Sequence, residues 1–174
     1  MNKNQLTTQK STALILGKSK SLLGVTKKLL EGKGSGLVKA KSEDISIIGD
    51  LMWERESRMM DWYEATEYAK NLRLGGYDDW RLATQEELGD IVTSCGVALA
   101  VEDEGDWNAI WDDNQKNRDY QVGYKEKGFE SGFYWSSSDY IDNEYEAHYV
   151  VLNYGYMGYD NKKFSYYVRC VRRG

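Results

Sequence analysis

The chain has 174 residues, 41% of them hydrophobic, with six tryptophans and no proline, which suffices for the core of one domain with an appendage or of two very small domains. No run approaches the roughly 20 apolar residues of a membrane span. Charge is segregated: residues 1–41 hold nine lysines and one acid (net +8), so of the 23 basic and 28 acidic residues 14 and 27 remain for 42–174 (net −13), which excludes nucleic-acid binding driven by phosphate neutralisation in the globular part.

The first predicted element is an amphipathic helix over 12–31. Leu14, Ile15, Leu22, Val25, Leu29 and Leu30 recur on one broad face, and Lys18, Lys20, Lys27 and Lys28 lie largely elsewhere. Gly17 and Gly24 each weaken it by about 1 kcal/mol against alanine. Such a stripe is covered by its own domain, by a copy of itself, or by an acidic membrane surface or partner, so the arm is expected to serve oligomerisation or anchoring. Lys18 cuts short the apolar stretch 13–17 and no small-residue cleavage site follows, so no secretory signal is read. A cytoplasmic location is expected, with the cell surface or a phage particle reached only by a non-classical route. Residues 32–41 are rich in Gly, Ser and Lys and read as a linker.

The globular domain is expected over 42–174. Ile45 to Trp53 is β-prone and interrupted by Gly49–Asp50, which predicts a short hairpin. Asp61 is placed to cap a helix whose Ala65, Tyr68, Ala69 and Leu72 share a face, and Gly75–Gly76 stops the pattern. Thr84 followed by Glu87 is a capping box opening a second helix, with Leu88, Ile91, Val92 and Cys95 inward. Residues 96–131 show no clear period and read as a long loop region with short elements. From Phe133 onward, alternating β-branched and aromatic residues predict several short antiparallel strands.

Residues 133–174 hold nine of the fourteen tyrosines. An apolar frame (Trp135, Val150, Leu152, Met157, Val168, Cys170, Val171) is interleaved with Tyr, Asp, Asn, Ser, Gly and His. Tyrosine offers large amphipathic area at low torsional cost, and Ser, Gly and Asn add adaptable hydrogen bonding, the mixture of an antibody paratope. The tail therefore reads as a binding surface on a rigid frame. With Val150 and Leu152 inward, Tyr149, Val151 and Asn153 point to the opposite face. Tyr149, Asn153, Tyr154, Tyr156, Tyr159, Asp160 and Tyr166 are expected to be largely exposed and near one another.

Three pieces in this order, DLMWERES at 50–57, GGYDDWRLATQEEL at 75–88, and FYWSSS at 133–138 with YYVRCVR at 166–172, resemble the DUF1566 domain, the type found at the C-terminus of the Legionella collagen-like adhesin and a branch of the C-type lectin fold. The resemblance covers about 45–174. It implies an α+β, C-type-lectin-like domain with two helices and a mostly antiparallel sheet. Ala83 stands where the family usually has proline, which implies a looser entry to the second helix. Some members of this family, and of its lectin-fold relatives, are variable proteins of diversity-generating retroelements in bacteria or phages. There, template adenines are randomised and copied into the 3′ end of the target gene. Randomising the first two bases of an Asn codon never gives a stop, Trp, Glu, Gln, Lys or Met. Tyr145, His148, Tyr149, Val151, Asn153, Tyr154, Tyr156, Gly158, Tyr159, Asp160, Asn161, Ser165 and Tyr166 are all reachable, whereas Trp135, Glu144, Glu146, Met157, Lys162 and Lys163 are not and fall between them. With Tyr140, these thirteen residues form the expected ligand-binding set, for an unknown protein or glycan. A fixed carbohydrate- or glycan-binding adhesin module is the alternative.

Other chemistries find less support. Calcium-dependent sugar binding by C-type lectins uses a cis-proline, absent here. Glu102, Asp103, Glu104, Asp106, Asp112 and Asp113 lack the EF-hand spacing and read as a solvated acidic loop. Cys95 and Cys170 are expected to be reduced and buried, and with one histidine and no CxxC they argue against a metal site. The hydroxyls of Ser136, Ser137 and Ser138 are expected to bond backbone, since His148 is the one histidine available as a catalytic partner. Trp53, Trp80 and Trp135 are expected in the core, and Arg81 and Asp79 to form a buried pair or to satisfy loop carbonyls. No enzyme and no cofactor are expected.

Overall fold

The computed structural model describes residues 44–102 and 104–174. The predicted helix 12–31 and linker 32–41 lie outside the described residues, as does Asp103. Local signals account for the first elements. Strands β1 (Ile45–Ile48) and β2 (Leu51–Glu54) form the expected hairpin, turned by Gly49 at φ 60°. A short β3 (Arg58–Met60) leads to helix α1 (Trp62–Asn71), whose N-terminus is closed by a reciprocal capping box of Asp61 and Glu64. After β4 (Arg81–Leu82), Thr84 and Glu87 form the same box at α2 (Gln85–Thr93). Ala83 does not loosen this entry: its carbonyl accepts from Ser137 N, and Ser138 Oγ accepts from Gln85 N.

Residues 96–131 differ from expectation. Beyond β5 (Ala100–Val101) they contain two helices, α3 (Trp107–Lys116) and α4 (Arg118–Glu126). Their buried positions are Asn114, Tyr120 and Tyr124 rather than aliphatics, so the helical period is invisible to a search for apolar residues. The caps are legible in retrospect: Asp106 accepts from Ala109 N, and Asn117 ends α3 while accepting from Tyr120 N to start α4. The tail supplies β6 (Phe133–Asp139), β7 (Glu146–Val151), β8 (Tyr156–Asn161), β9 (Tyr166–Val168) and β10 (Cys170–Arg173). The fold is α+β, with four helices rather than two among the described residues. No described helix is long and apolar enough to cross a membrane.

Two sheets result, one ordered β1-β2-β10-β4 and one β3-β9-β6-β7-β8-β5. Pairing is antiparallel except for β6 with β9 and β5 with β8. The small sheet joins the separated motifs: Val171 faces both Trp53 and Arg81, and Cys170 faces Leu82. Arg169, 1% exposed, binds them further by donating from Nε to Glu54 O at 2.6 Å, with its guanidinium 4.0 Å from the Phe129 ring centre. The hydrophobic core lies on one face of the large sheet, where Tyr134, Val150 and Leu152 meet Leu88, Ile91 and Val92 of α2 and Tyr120 and Tyr124 of α4. Tyr120 also hydrogen-bonds Leu152 O.

Candidate functional site: an aromatic face on the large sheet

Register assigns each tail residue to a face. Trp135 is opposite Tyr149, Phe133 opposite Val151, and Tyr149, Val151 and Ala147 are opposite Gly158, Tyr156 and Asp160. These side chains, with Tyr166 on β9, share the face turned away from the core. Their rings touch in a continuous layer. Phe164 stacks on Tyr166 (6.2 Å), which meets Trp135 (4.6 Å), Phe133 (4.8 Å) and Tyr149 (5.6 Å). Tyr149 reaches Tyr156 (6.2 Å), which is flanked by Trp107 (5.4 Å) and Trp111 (5.5 Å) of α3, and Trp111 packs on Tyr154 (4.6 Å).

This layer corrects the expected exposure. Tyr149 (8% exposed), Tyr156 (6%) and Val151 (2%) are buried, as is Gly158, because rings from neighbouring strands and from α3 tile over them. Asn153, Tyr154, Tyr159, Asp160 and Tyr166 are half-buried rather than largely exposed. Tyr145, Ser165, Phe164 and Phe133 supply the open rim.

The fourteen candidate residues are not one patch. His148 pairs with Tyr159 on the same side of the sheet as Val150, and Tyr140 stacks flat on Tyr159 at 3.8 Å and 6°. Tyr140, His148 and Tyr159 thus form a second cluster on the core-side face, beyond the end of the core. Asn153 and Tyr154 sit in the β7–β8 turn, Asn161 ends β8, and Ser165 and Tyr145 lie in loops. Phe133, Phe164, Trp107, Trp111 and Glu102 belong to the aromatic face but were not anticipated. The spacing of Trp107 and Trp111, four apart after the cap Asp106, is the sequence signal that reveals the helical pair.

Polar groups are few and concentrated. Tyr166 donates to Asp160 Oδ2 at 2.6 Å. Glu102, Tyr149 and Tyr156 bring oxygens together above Gly158, within 3.0 Å of where a Cβ would stand. Burial, then the charges of Glu102 and Asp160, push the Tyr149 hydroxyl up to about 12. Tyr156 is raised by burial and then by Tyr149 and Glu102, and Tyr166 by burial and then by its bond to Asp160. All three hydroxyls stay protonated at neutral pH, as donors and acceptors.

A family model for the Lcl C-terminal domain matches residues 48–172, which takes in all three motif pieces. The chain belongs to the Lcl C-terminal domain family. No curated protein matches it. In this Lcl C-terminal domain the motif residues serve the frame. Trp53, Trp80 and Trp135 are buried at 1%, 4% and 1% exposure. Arg81 and Asp79 do not pair with each other: Arg81 grips Glu87 through two bonds of 2.7 and 2.6 Å, and Asp79 accepts two from Arg172 at 2.6 and 3.1 Å. Ser136 Oγ donates to His148 O and accepts from Ser138 N, as expected of backbone-bonding hydroxyls. Both cysteines are free thiols, Cys170 buried and Cys95 half-buried with its thiol 3.2 Å from Ile91 O. The acidic segment divides its tasks: Glu102 faces the aromatic layer, Asp106 caps α3, and Asp112 and Asp113 are exposed.

Proposed function

We propose that this chain is a ligand-binding module of the C-type lectin fold, without catalytic activity, whose site is the aromatic face of the large sheet and whose site residues are diversified by a retroelement. One observation carries the reading. Among the described residues, none of the fourteen candidates belongs to the core cluster under α2 and α4, although Tyr149, Val151 and Tyr156 are buried on the opposite face, whereas Val150, Leu152 and Met157 between them and Tyr134, Tyr167 and Val171 beside them build it or pack against it. A site exchanged from copy to copy needs this segregation, because truncating a core aliphatic costs about 2–5 kcal/mol of a total near 5–15 kcal/mol. The codon pattern supports the same division at Met157, which is unreachable from an Asn codon and packs against the core cluster.

The glycines support it too. Gly155 at φ 58° has Asn114 Nδ2 2.6 Å from where a Cβ would stand, so it is fixed by the frame. At Gly158 no left-handed φ is required, and the neighbours are side-chain ends of the aromatic face itself, Glu102, Tyr149 and Tyr156, rather than of the frame. A fixed glycan-binding face is the second reading, favoured by the half-exposed rings of Trp107, Trp111 and Tyr154 at one end of the layer, flat apolar surfaces suited to stacking. Adjacent DNA separates the two. The retroelement reading requires a near-repeat of the codons for 133–174 differing only at adenines, beside a reverse-transcriptase gene. Absence of both replaces it with the fixed face.

A further inference from the structure

Resting on the ligand-face reading, we infer that this site takes a cationic group of a protein partner, a lysine ammonium or arginine guanidinium, seated against Glu102, Tyr149 and Tyr156 beside the aromatic layer. Gly158 lets three oxygens converge: from where its Cβ would stand, Glu102 Oε2 lies at 2.7 Å, the Tyr149 hydroxyl at 2.8 Å and the Tyr156 hydroxyl at 3.0 Å. Of these, Glu102 Oε2 is buried without a well-formed hydrogen bond, and the Tyr156 hydroxyl beside it engages the carboxylate. A phenol leaves the carboxylate's charge unbalanced, an unpaired charge largely out of water is costly, and a cationic donor relieves that cost. Asp160 stands on the same face, two residues along β8 from Gly158, with the Tyr166 hydroxyl and the Asn161 amide as its donors.

The rings around this cluster make the same demand. Aromatic faces attract cations most strongly where water is excluded. Among the described residues, the protein's own cations lie over other rings: Arg58 over Tyr68, Lys125 over Tyr124, Lys162 over Trp62, Arg169 over Phe129 and Trp53, and Arg172 over Tyr77. The ion pairs of the described residues use neither Glu102 nor Asp160. The cluster thus joins two carboxylates and electron-rich rings with no cation of its own, in a globular part of net charge −13 (14 − 27) that draws positive partners toward it.

The test uses the full chain, ¹⁵N-labelled, and three probe peptides, all N-terminally acetylated and C-terminally amidated: Gly-Gly-Lys-Gly-Gly, the same peptide acetylated on the lysine, and Gly-Gly-Glu-Gly-Gly. The lysyl peptide is expected to cause saturable shifts of the Glu102, Tyr156 and Gly158 amides at millimolar concentration, and the other two none there. Glu102→Gln is expected to weaken it about tenfold, as loss of a charge-assisted hydrogen bond. If that variant fails to fold, Asp160→Asn replaces it, with a weakening of about threefold from loss of a nearby charge. No saturable shift, equal affinity for the lysine-acetylated peptide, or unchanged affinity in the folded variant overturns the inference. Equal binding of the lysine-acetylated and free-lysine peptides at these amides would overturn the cation while leaving the face a ligand site. The neighbouring DNA tests the diversification reading separately.

Discussion

Tyr149 and Val150 are consecutive on β7 yet serve opposite sides of the sheet. Val150 is wholly buried in the core under α2, opposite Met157, and Tyr149 faces Phe133, Trp135, Tyr156 and Tyr166 on the other side. The two-residue period of a strand keeps the aromatic face and the core apart. A one-residue slip of β7 would exchange the two roles.

This separation predicts unequal costs for substitution. Leu152→Ala, at a site with 0% exposure, should lose about 2–5 kcal/mol in urea unfolding. Tyr145→Ser and Ser165→Tyr, both at exposed sites, should each change stability by no more than about 0.5 kcal/mol.

The two glycines of the β7–β8 hairpin should separate in the same assay. Gly155→Ala forces a side chain into a φ of 58° and against Asn114, and should cost more than about 1 kcal/mol. Gly158→Ala needs no left-handed backbone and meets only side-chain ends, and should cost less.

Several features were legible from the chain alone because they are local. The capping pairs Asp61/Glu64 and Thr84/Glu87 close on themselves within four residues, and Gly49 turns a hairpin between adjacent strands. The buried tryptophans follow from size and hydrophobicity. What escaped depends on distant partners. Tyr149 and Tyr156 are buried by Phe133, Tyr166 and α3, which no window around 149 or 156 contains. Asp79 is claimed by Arg172, 93 residues away, rather than by its neighbour Arg81. Helices α3 and α4 escaped because Asn114, Tyr120 and Tyr124 fill buried positions usually taken by aliphatics.

Acid stability should depend on Glu87. Burial alone would push its carboxyl up, but the Arg81 guanidinium and the Thr84 amide and hydroxyl outweigh it and hold the group below its ordinary 4.5. A depressed carboxyl contributes stability that is complete above pH 4.5 and lost as pH falls through its folded value. Glu87→Gln should therefore lower stability at pH 7 and flatten the decline below about pH 4.5. An unchanged acid limb would show that the Arg81–Glu87 pair contributes nothing.

The alkaline limb should report the aromatic face. The Tyr149 hydroxyl, ordinarily at 10.0, is pushed up to about 12 by burial and then by Glu102 and Asp160. A raised value gives stability complete below pH 10 and lost as pH rises through about 12. Tyr149→Phe should make the fall between these pH values shallower, and ultraviolet titration should lose one late-titrating phenol. Phenol titration complete by pH 10.5 would contradict the burial of this ring.

The central claim is that the face varies while the frame holds. Its most direct measurement is a display library in which the codons for the thirteen reachable positions, from Tyr145 to Tyr166, carry free first and second bases and a fixed third-position C. Clones are scored for folding by protease resistance. The account predicts that most clones fold, including many without tyrosine at 149 and 156, and that the same treatment of Tyr134, Val150, Leu152, Tyr167 and Val171 leaves almost none folded. Folded clones that retain tyrosine at 149 and 156 almost without exception would make those rings part of the core and contradict the account.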